Sequence, residues 1–572
     1  NYAGTTTSSG GFLTVAATGA LGSGVSTNTL EFNGGTLRAT AAITSPSTRG
    51  VTMTSTGIID NNGQAISIAG DIGGVGGLTK NGTGALTLSG TNTFGGVTTV
   101  NAGSLMITKE ASLASNTAAN LNVKSGATLQ LNVDSAGSNG FTSANFSTLL
   151  GNILVANTAA QGLQAGATLA IDTSTATGAT FTLSSAITNS TGGFGGVINL
   201  IKLGAGTLVL DQTNTNTGTT TISAGTIQYN DGGAISATPL FLNGGTFAVN
   251  RSTTATLGTT FPAIIGGTGG LSNLGAGTLV LNAPTFHTGN TAATVGNITL
   301  SHERAIQFSA LDTTGAGFVT LSSVTTPIFG GLANSGTTRN LATVISSGYG
   351  SVTNLTLNPQ SGSTFTYSGV IADGSPPMSL TKTGAGTQNL TGTNTYTGTT
   401  FLNGGILSVG DGTTTGKLSG TTDLNFNGGT LTFRTLGANS DVDAINNAST
   451  ITVNSSSTFN VTSTNAGGTS NNETVGAVTL NAGQMNFNWT NGGSSGTQVT
   501  LTSLSQSGTA SANFNSGAAS NSSRWLITGA ATTAASQILG PWYTTGGNNA
   551  GFASTDYASY NRTGGTANAF GI

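Results

Sequence analysis

Asp211, Asp231 and Asp411 are the side chains of this sequence with the clearest claim to acid–base chemistry. Glycosidases work with paired carboxylates at a set separation, and polysaccharide lyases with Asp and Lys or Arg around calcium. Asp231 and Asp411 stand beside Gly and Asp211 stands two residues before Thr213, all in turn-like sequence, where Asp ordinarily bonds to the backbone of its own turn. The densest ionic spot is His302-Glu303-Arg304, which together with His287 raises the question of a metal site. His287, however, occupies a ring position shared with Phe94 and Tyr396, where a flat ring in a stack of rings is expected. His302 lies in an irregular insertion and reads as solvated. The glycine run Gly73-Gly74-Val75-Gly76 lacks the Asp of a calcium-binding nonapeptide. Gly416-Lys417-Leu418 lacks the hydroxyl residue of a phosphate loop. No Gly-x-Ser-x-Gly stands between a strand and a helix. We therefore assign no catalytic, cofactor-binding or metal-binding residue, expect no cofactor, and read the chain as a non-enzyme.

Composition narrows the partners. Charged residues make up 5% of 572 residues, against about 25% in ordinary soluble domains, and the net charge is −3. Fourteen Lys and Arg spread over this length cannot form the dense patch that displaces counterions from nucleic acid, nor one that holds an anionic membrane surface. No apolar run approaches the roughly 18 residues of a membrane helix, so no membrane insertion by this segment is expected. The chain opens at Asn1 without a basic-then-apolar leader and reads as a mature or excised segment. There is no cysteine, hence no disulfide and no thiolate site. Hydrophobic residues reach 36% and fall in short alternating runs such as Thr207-Leu208-Val209-Leu210, which argues against disorder.

The elements that would position any site are strands of four to six residues separated by corners rich in Gly and Asn; helical periodicity is nearly absent. Two phrases recur. In the first, Lys precedes Gly-Ala-Gly-Thr-Leu or its variants: Lys80 before Gly82–Leu86, Lys202 before Gly204–Leu208, and Lys382 before Gly384–Gln388. Asn273 takes the Lys place before Gly275–Leu279. The constant position of the Lys before a turn predicts bonding to corner carbonyls or a stem that covers the stack. In the second phrase a strand ends in Asn-Gly-Gly or Asn-Ala-Gly, as in Leu30–Leu37, Phe401–Leu407 and Val478–Met485. Asn and Gly enter the left-handed region and turn the chain sharply, and stacked Asn residues can form amide ladders. Asn-Gly hairpins would instead build a sandwich or propeller. The irregular spacing favours a solenoid, which absorbs insertions as loops, over a closed ring of equal blades. Successive turns of roughly 20–25 residues would lie about 4.8 Å apart and leave unpaired strand edges at both ends.

The pattern Leu-Thr-Lys-x-Gly-x-Gly-x-Leu-x-Leu-x-Gly-x-Asn-Thr-(Phe/Tyr)-x-Gly-x-Thr, best carried by Leu78–Thr98 and Leu380–Thr400, resembles the autotransporter-associated β-strand repeat, also called the passenger-associated transport repeat. The best copies lie near 77–105, 200–228, 270–300 and 380–409. The resemblance implies an all-β, right-handed parallel β-helix displayed outside a bacterium, where the lack of cysteine suits export of an unfolded chain. Two departures accompany it. No alternating-strand membrane barrel follows the repeats, and the second and third copies place Asn216 and His287 where the ring belongs.

The expected organisation is a β-solenoid over 1–523 and a less regular, aromatic-rich terminal module over 524–572, which holds Trp525, Trp542, Tyr543, Phe552, Tyr557 and Tyr560. That module reads as a cap for the last turn or a docking surface. The expected function is extracellular and mechanical: a rod, stalk or fibre subunit at a bacterial surface, with adhesion. The expected partners are further copies, joined end to end through strand edges such as Asn1–Thr18, and a carbohydrate or cell-surface ligand. A flat Thr array for ice or crystalline carbohydrate is disfavoured, because Thr-x-Thr does not recur at a fixed period. The competing reading from another class is a carbohydrate-active β-helix enzyme, which would require clustered carboxylates in a groove.

Overall fold

A computed structural model of the chain describes residues 2–113, 120–155, 161–235, 239–262, 264–334, 339–435, 443–463, 471–491, 497–507, 510–517, 524–527, 543–545 and 550–552. These residues form a parallel β-solenoid of about 19 turns. The chain divides into two compact units, Asn1–Leu279 and Val280–Ile572.

Strand pairing in the first unit is parallel and set by the repeat. Leu78–Asn81 pairs with Gly57–Asp60 on one side and Thr98–Val100 on the other, with Leu78 opposite Thr98. After a corner, Ala85–Leu88 joins the next face, where Leu86, Leu105, Leu129, Leu169 and Leu200 stand in register on successive strands. All five are fully buried. Alternation explains the arrangement: in a strand every second side chain points inward, and a narrow coil has room there for one aliphatic per position. Each such burial contributes roughly 1.5–3 kcal/mol.

Corners are made by glycines in the left-handed region. Gly82 and Gly204 (φ 78° and 76°) turn the chain after the Lys strand, and Gly103 and Gly225 (φ 66° and 63°) turn it one turn later. The backbones of successive corners also come too close for a side chain: a Cβ on Gly103 would lie 2.5 Å from the Gly84 carbonyl oxygen. The first two repeats do not share a column. The second strand of the first copy, Ala85–Leu88, lies on the same sheet as the first strand of the second copy, Asn199–Leu203. The second copy is therefore carried one face around the coil from the first.

One element escapes the strand pattern. Ser143–Val155 is a helix inserted between Thr128–Asn132 and Gly162–Leu163. Phe146, Leu149, Leu150 and Ile153, at helical spacing, are buried, and Phe146 meets Phe141 and Phe181 edge-on at 6.4 and 6.3 Å.

The second unit repeats the scheme. Ser379–Lys382 pairs with Asn354–Leu357 and Thr400–Leu402, and Thr387–Leu390 pairs with Thr364–Tyr367 and Ile406–Val409. Its inward column runs Leu407, Leu431, Phe459, Phe487, Phe514, ending in Phe487 and Phe514 stacked 4.7 Å apart at 8°. The parallel pairing continues through Arg524–Ile527, Tyr543–Thr545 and Ala550–Phe552. Trp542, Tyr557 and Tyr560 lie outside the described residues, as does most of 524–572.

Candidate functional site

The repeat lysines face inward. Lys80 stands in register between Ile59 and Val100, and Lys202 between Ile171 and Ile222. In the second unit Lys382 stands between Leu357 and Leu402. Each side chain is fully buried, so the aliphatic stem fills the core column and the amine reaches the corner. There it donates to main-chain carbonyls of two successive corners. Lys202 Nζ donates to Leu203 O and Gly204 O, both at 2.8 Å, and to Ala224 O at 3.2 Å. Lys382 Nζ donates to Thr383 O, Gly384 O and Gly404 O at 2.5, 3.0 and 3.1 Å. Lys80 Nζ donates to Asn81 O, Gly82 O and Ala102 O at 3.1, 2.7 and 2.9 Å, and stands 3.3 Å from Asn61 Oδ1. The left-handed glycines turn these carbonyls toward one point, and the ammonium satisfies them. Burial lowers all three amines from the usual lysine value to about 8. The lysines bond corner carbonyls as their position predicts, but their stems run inside the stack instead of over it. Asn273 answers the same need by donating to Gly277 O at 2.9 Å.

The Asn of the Asn-Thr-(Phe/Tyr) segment is a second buried bridge, and sequence reasoning gave it no role. Asn394 Oδ1 accepts from Ile371 N at 3.0 Å, and its Nδ2 donates to Gly392 O and Lys417 O at 3.1 and 3.0 Å. Asn92 and Asn214 accept likewise from Ile72 N at 3.0 Å and Ile187 N at 2.7 Å. Their constant place in the repeat was the available signal. The ring position is buried too, and it works by a hydroxyl four residues on. Tyr396 pairs its OH with Thr400 Oγ1 at 2.6 Å, and His287 Nε2 lies 2.9 Å from Thr291 Oγ1. Among the described residues neither ring, nor Phe94, stacks on another ring, so each is an isolated plug.

The candidate carboxylates hold corners. The structure brings Asp211 and Asp231 to one open depression of about 650 Å³, lined also by Asn230, Asn250, Arg251 and Ser252. Within it, Asp231 accepts from Ser252 N at 3.0 Å and from Thr253 Oγ1 at 3.2 Å. The Ser252 bonds hold its carboxyl below the usual range, which is the reverse of what a general acid needs. Asp211 accepts from Asn230 Nδ2 at 2.8 Å, and Asn230 Oδ1 from Asn250 Nδ2 at 3.2 Å. Asp411, in the second unit, accepts from Thr413 N and Thr414 N, both at 2.9 Å. Burial pushes its carboxyl up, but these bonds outweigh burial and lower it. Asp60, Asp71, Asp134, Asp172, Asp312 and Asp373 also accept main-chain amides.

His302 is half-buried and caps its own loop, its Nδ1 accepting from Arg304 N at 3.0 Å, while Glu303 accepts from Thr326 Oγ1 at 2.8 Å. His287 is buried in a different place, and burial lowers its ring to about 4. Among the described residues no three His, Asp or Glu side chains gather as a metal site. Two further buried groups had no role assigned from the sequence, although Gln388 is visible there as a departure from the repeat. Gln388 replaces the inward Leu of the repeat and bonds the main chain of Leu332 through both Oε1 and Nε2, at 2.9 and 3.0 Å. Glu473 accepts from Ala444 N and Ile445 N at 2.9 and 2.8 Å, and burial pushes it up to about 8.

The predicted amide ladders are present. Asn427, Asn454 and Asn481 each donate Nδ2 to the Asn Oδ1 of the turn before, beginning at Asn403, at 2.8, 3.0 and 2.9 Å.

Comparison with protein families finds the passenger-associated-transport-repeat at residues 78–107, 200–228 and 380–409. The stretch near 270–300, with Asn273 for Lys, is not among the matched segments. No curated protein matches the sequence. Among solved structures, the crystal structure of the Haemophilus influenzae Hap adhesin is similar at 13% identity over 92% of this chain and 60% of that chain, with a TM-score of 0.20. A TM-score of that size carries no inference about fold detail or activity.

Proposed function

We propose, from its passenger-associated transport repeats, that this chain is a non-enzymatic structural and adhesive β-solenoid exposed at a bacterial surface, where it serves as a rod, stalk or fibre subunit. The observation that carries the reading is the use to which the repeat puts its polar residues. Lys and Asn, the two most distinctive side chains of the motif, are spent inside the coil tying one turn to the next. Most of the aspartates are spent likewise on main-chain amides, with Asp231 and Asp411 held in the low-pKa state that suits a structural acceptor. Such a chain gains cohesion along its stack and leaves an outer surface of Thr, Ser and Asn. That surface suits an uncharged, hydroxyl-rich ligand such as a glycan. The stretch from 524 onward is proposed as a terminal cap or docking module, and strand edges as the means of joining further copies end to end.

The test uses the chain in its native bacterium. Protease shaving and antibody labelling of intact cells should reach it, and deletion should lower attachment to glycan-coated surfaces. Purified protein viewed by electron microscopy should show whether copies join end to end. Release of oligosaccharides from a panel of polysaccharides, lost on Asp211→Asn or Asp231→Asn substitution, would replace this reading with the carbohydrate-active enzyme.

A further inference from the structure

Asn61 is fully buried, and its carboxamide meets the Lys80 amine of the following turn. Oδ1 lies 3.3 Å from Lys80 Nζ and accepts from the Gly84 N–H at 3.1 Å. Two donors on one atom fix which end of the amide is oxygen. They leave Nδ2 buried without a hydrogen-bond partner, a loss of about 1–3 kcal/mol. Capping the corner does not require this arrangement. At Lys202 the same place is taken by Thr173, after Asp172, and at Lys382 by Pro359, after Asn358. Both lysines satisfy their corners without a carboxamide. Asn61 therefore adds something that the shared role leaves unexplained.

We propose that Lys80 and Asn61 are joined by an intramolecular isopeptide bond that the protein forms by itself. A neutral amine donates two hydrogens to the corner carbonyls and keeps its lone pair for Asn61 Cγ. The Nζ–Cγ bond forms, and the charge that develops on Oδ1 is met by the Gly84 N–H, as in an oxyanion hole. The Cγ–Nδ2 bond then breaks, and Nδ2 leaves as ammonia with the proton that Nζ gives up. One amine and one primary amide become one secondary amide and one ammonia, with nothing oxidised or reduced. Asp60 stands on the same corner and acts on the amine through its charge; it is the carboxylate available to pass the proton from one nitrogen to the other. Burial favours the step twice: it supplies neutral amine, and it keeps water from competing for Cγ. The product ties Gly57–Asp60 to Leu78–Asn81, strands that already pair directly, and closes a loop between neighbouring turns.

The test is intact-mass and peptide analysis of the full chain, denatured and digested with trypsin after standing in mildly alkaline buffer. The expected mass is lower than the sequence mass by one ammonia, with no cleavage after Lys80 and a branched fragment joining Lys80 to Asn61. Succinimide formation at Asn62-Gly63 also releases ammonia, so the variants decide its source. Lys80→Arg and Asn61→Ala should each abolish the loss, whereas Lys202→Arg should retain it. Loss of ammonia that persists in Lys80→Arg would overturn the proposal. So would wild-type protein of full sequence mass that trypsin cuts after Lys80, an outcome that needs no variant to fold.

Discussion

Three lysines among 14 basic residues sit where a charge is least welcome, and the corners explain why they are there. A left-handed turn exposes carbonyls inward, and an unsatisfied carbonyl in an aliphatic core costs more than a lysine held by three of them. Lys202→Met keeps the stem and removes the donor. It strands the carbonyls of Leu203, Gly204 and Ala224 and should destabilise the first unit by about 3 kcal/mol, read as a lower denaturant midpoint. Protonation gives a second expectation. Lys202 and Lys382 are lowered to about 8, so between pH 8 and 10 the unfolded chain binds more protons than the native one, and stability rises with pH. Above that window buried tyrosines such as Tyr349, raised to about 12, act the other way. Glu473 is raised from 4.5 to about 8, so between those values the native chain holds its extra proton and its contribution to stability falls as pH rises; below about pH 6.5 the lowered ring of His287 opposes it, which leaves the fall exposed from there to pH 8. Thermal melts across this range should show a minimum near pH 8, and Glu473→Gln should flatten its acid limb.

At the scale of the strand and corner, what matters is how closely successive turns approach. Gly405 has φ 59° and leaves no room, since a Cβ there would lie 2.3 Å from the Gly384 carbonyl oxygen. Gly34 has φ 90° and nothing within 4 Å of that position. Both substitutions to Ala strain the backbone, but only Gly405→Ala also pushes two turns apart. It should cost about 2 kcal/mol more than Gly34→Ala, measured as the difference in unfolding free energy. The corner pattern and the strand alternation were legible from the sequence, because each depends on a residue and its immediate neighbours. The helix at Ser143–Val155 is not legible in the same way, although Phe146, Leu149, Leu150 and Ile153 stand at helical spacing. Its surroundings are so uniformly strand-like that a single amphipathic stretch carries little weight against them.

For the whole molecule, charge is the variable that is nearly missing. With charged residues at 5%, cohesion rests on aliphatic burial and on neutral or charge-assisted hydrogen bonds between turns. The Arg38–Asp60 ion pair, at 3.4 Å, is partly exposed and worth little. Melting temperatures should therefore shift by no more than a few degrees between low and high sodium chloride concentration. A large shift would mean that charges outside the described residues carry the stability. Each unit is a stack in which a turn contacts chiefly its neighbours, so a local lesson about one corner applies to every corner of the same kind.

The strand, the corner and the winding of one on the other are set by local pattern, because repeated local preference is enough to specify a repeated turn. The sequence also places the lysines before their turns. Which residues meet across turns is fixed by the folded coil: Asp211 and Asp231 share one depression, Gln388 reaches Leu332, the first two copies occupy different faces, and Asn61 faces Lys80 alone of the three lysines. Those meetings depend on the length of every intervening turn. A single insertion, such as the helix after Asn132, changes which side chains are brought opposite one another while leaving each local motif intact.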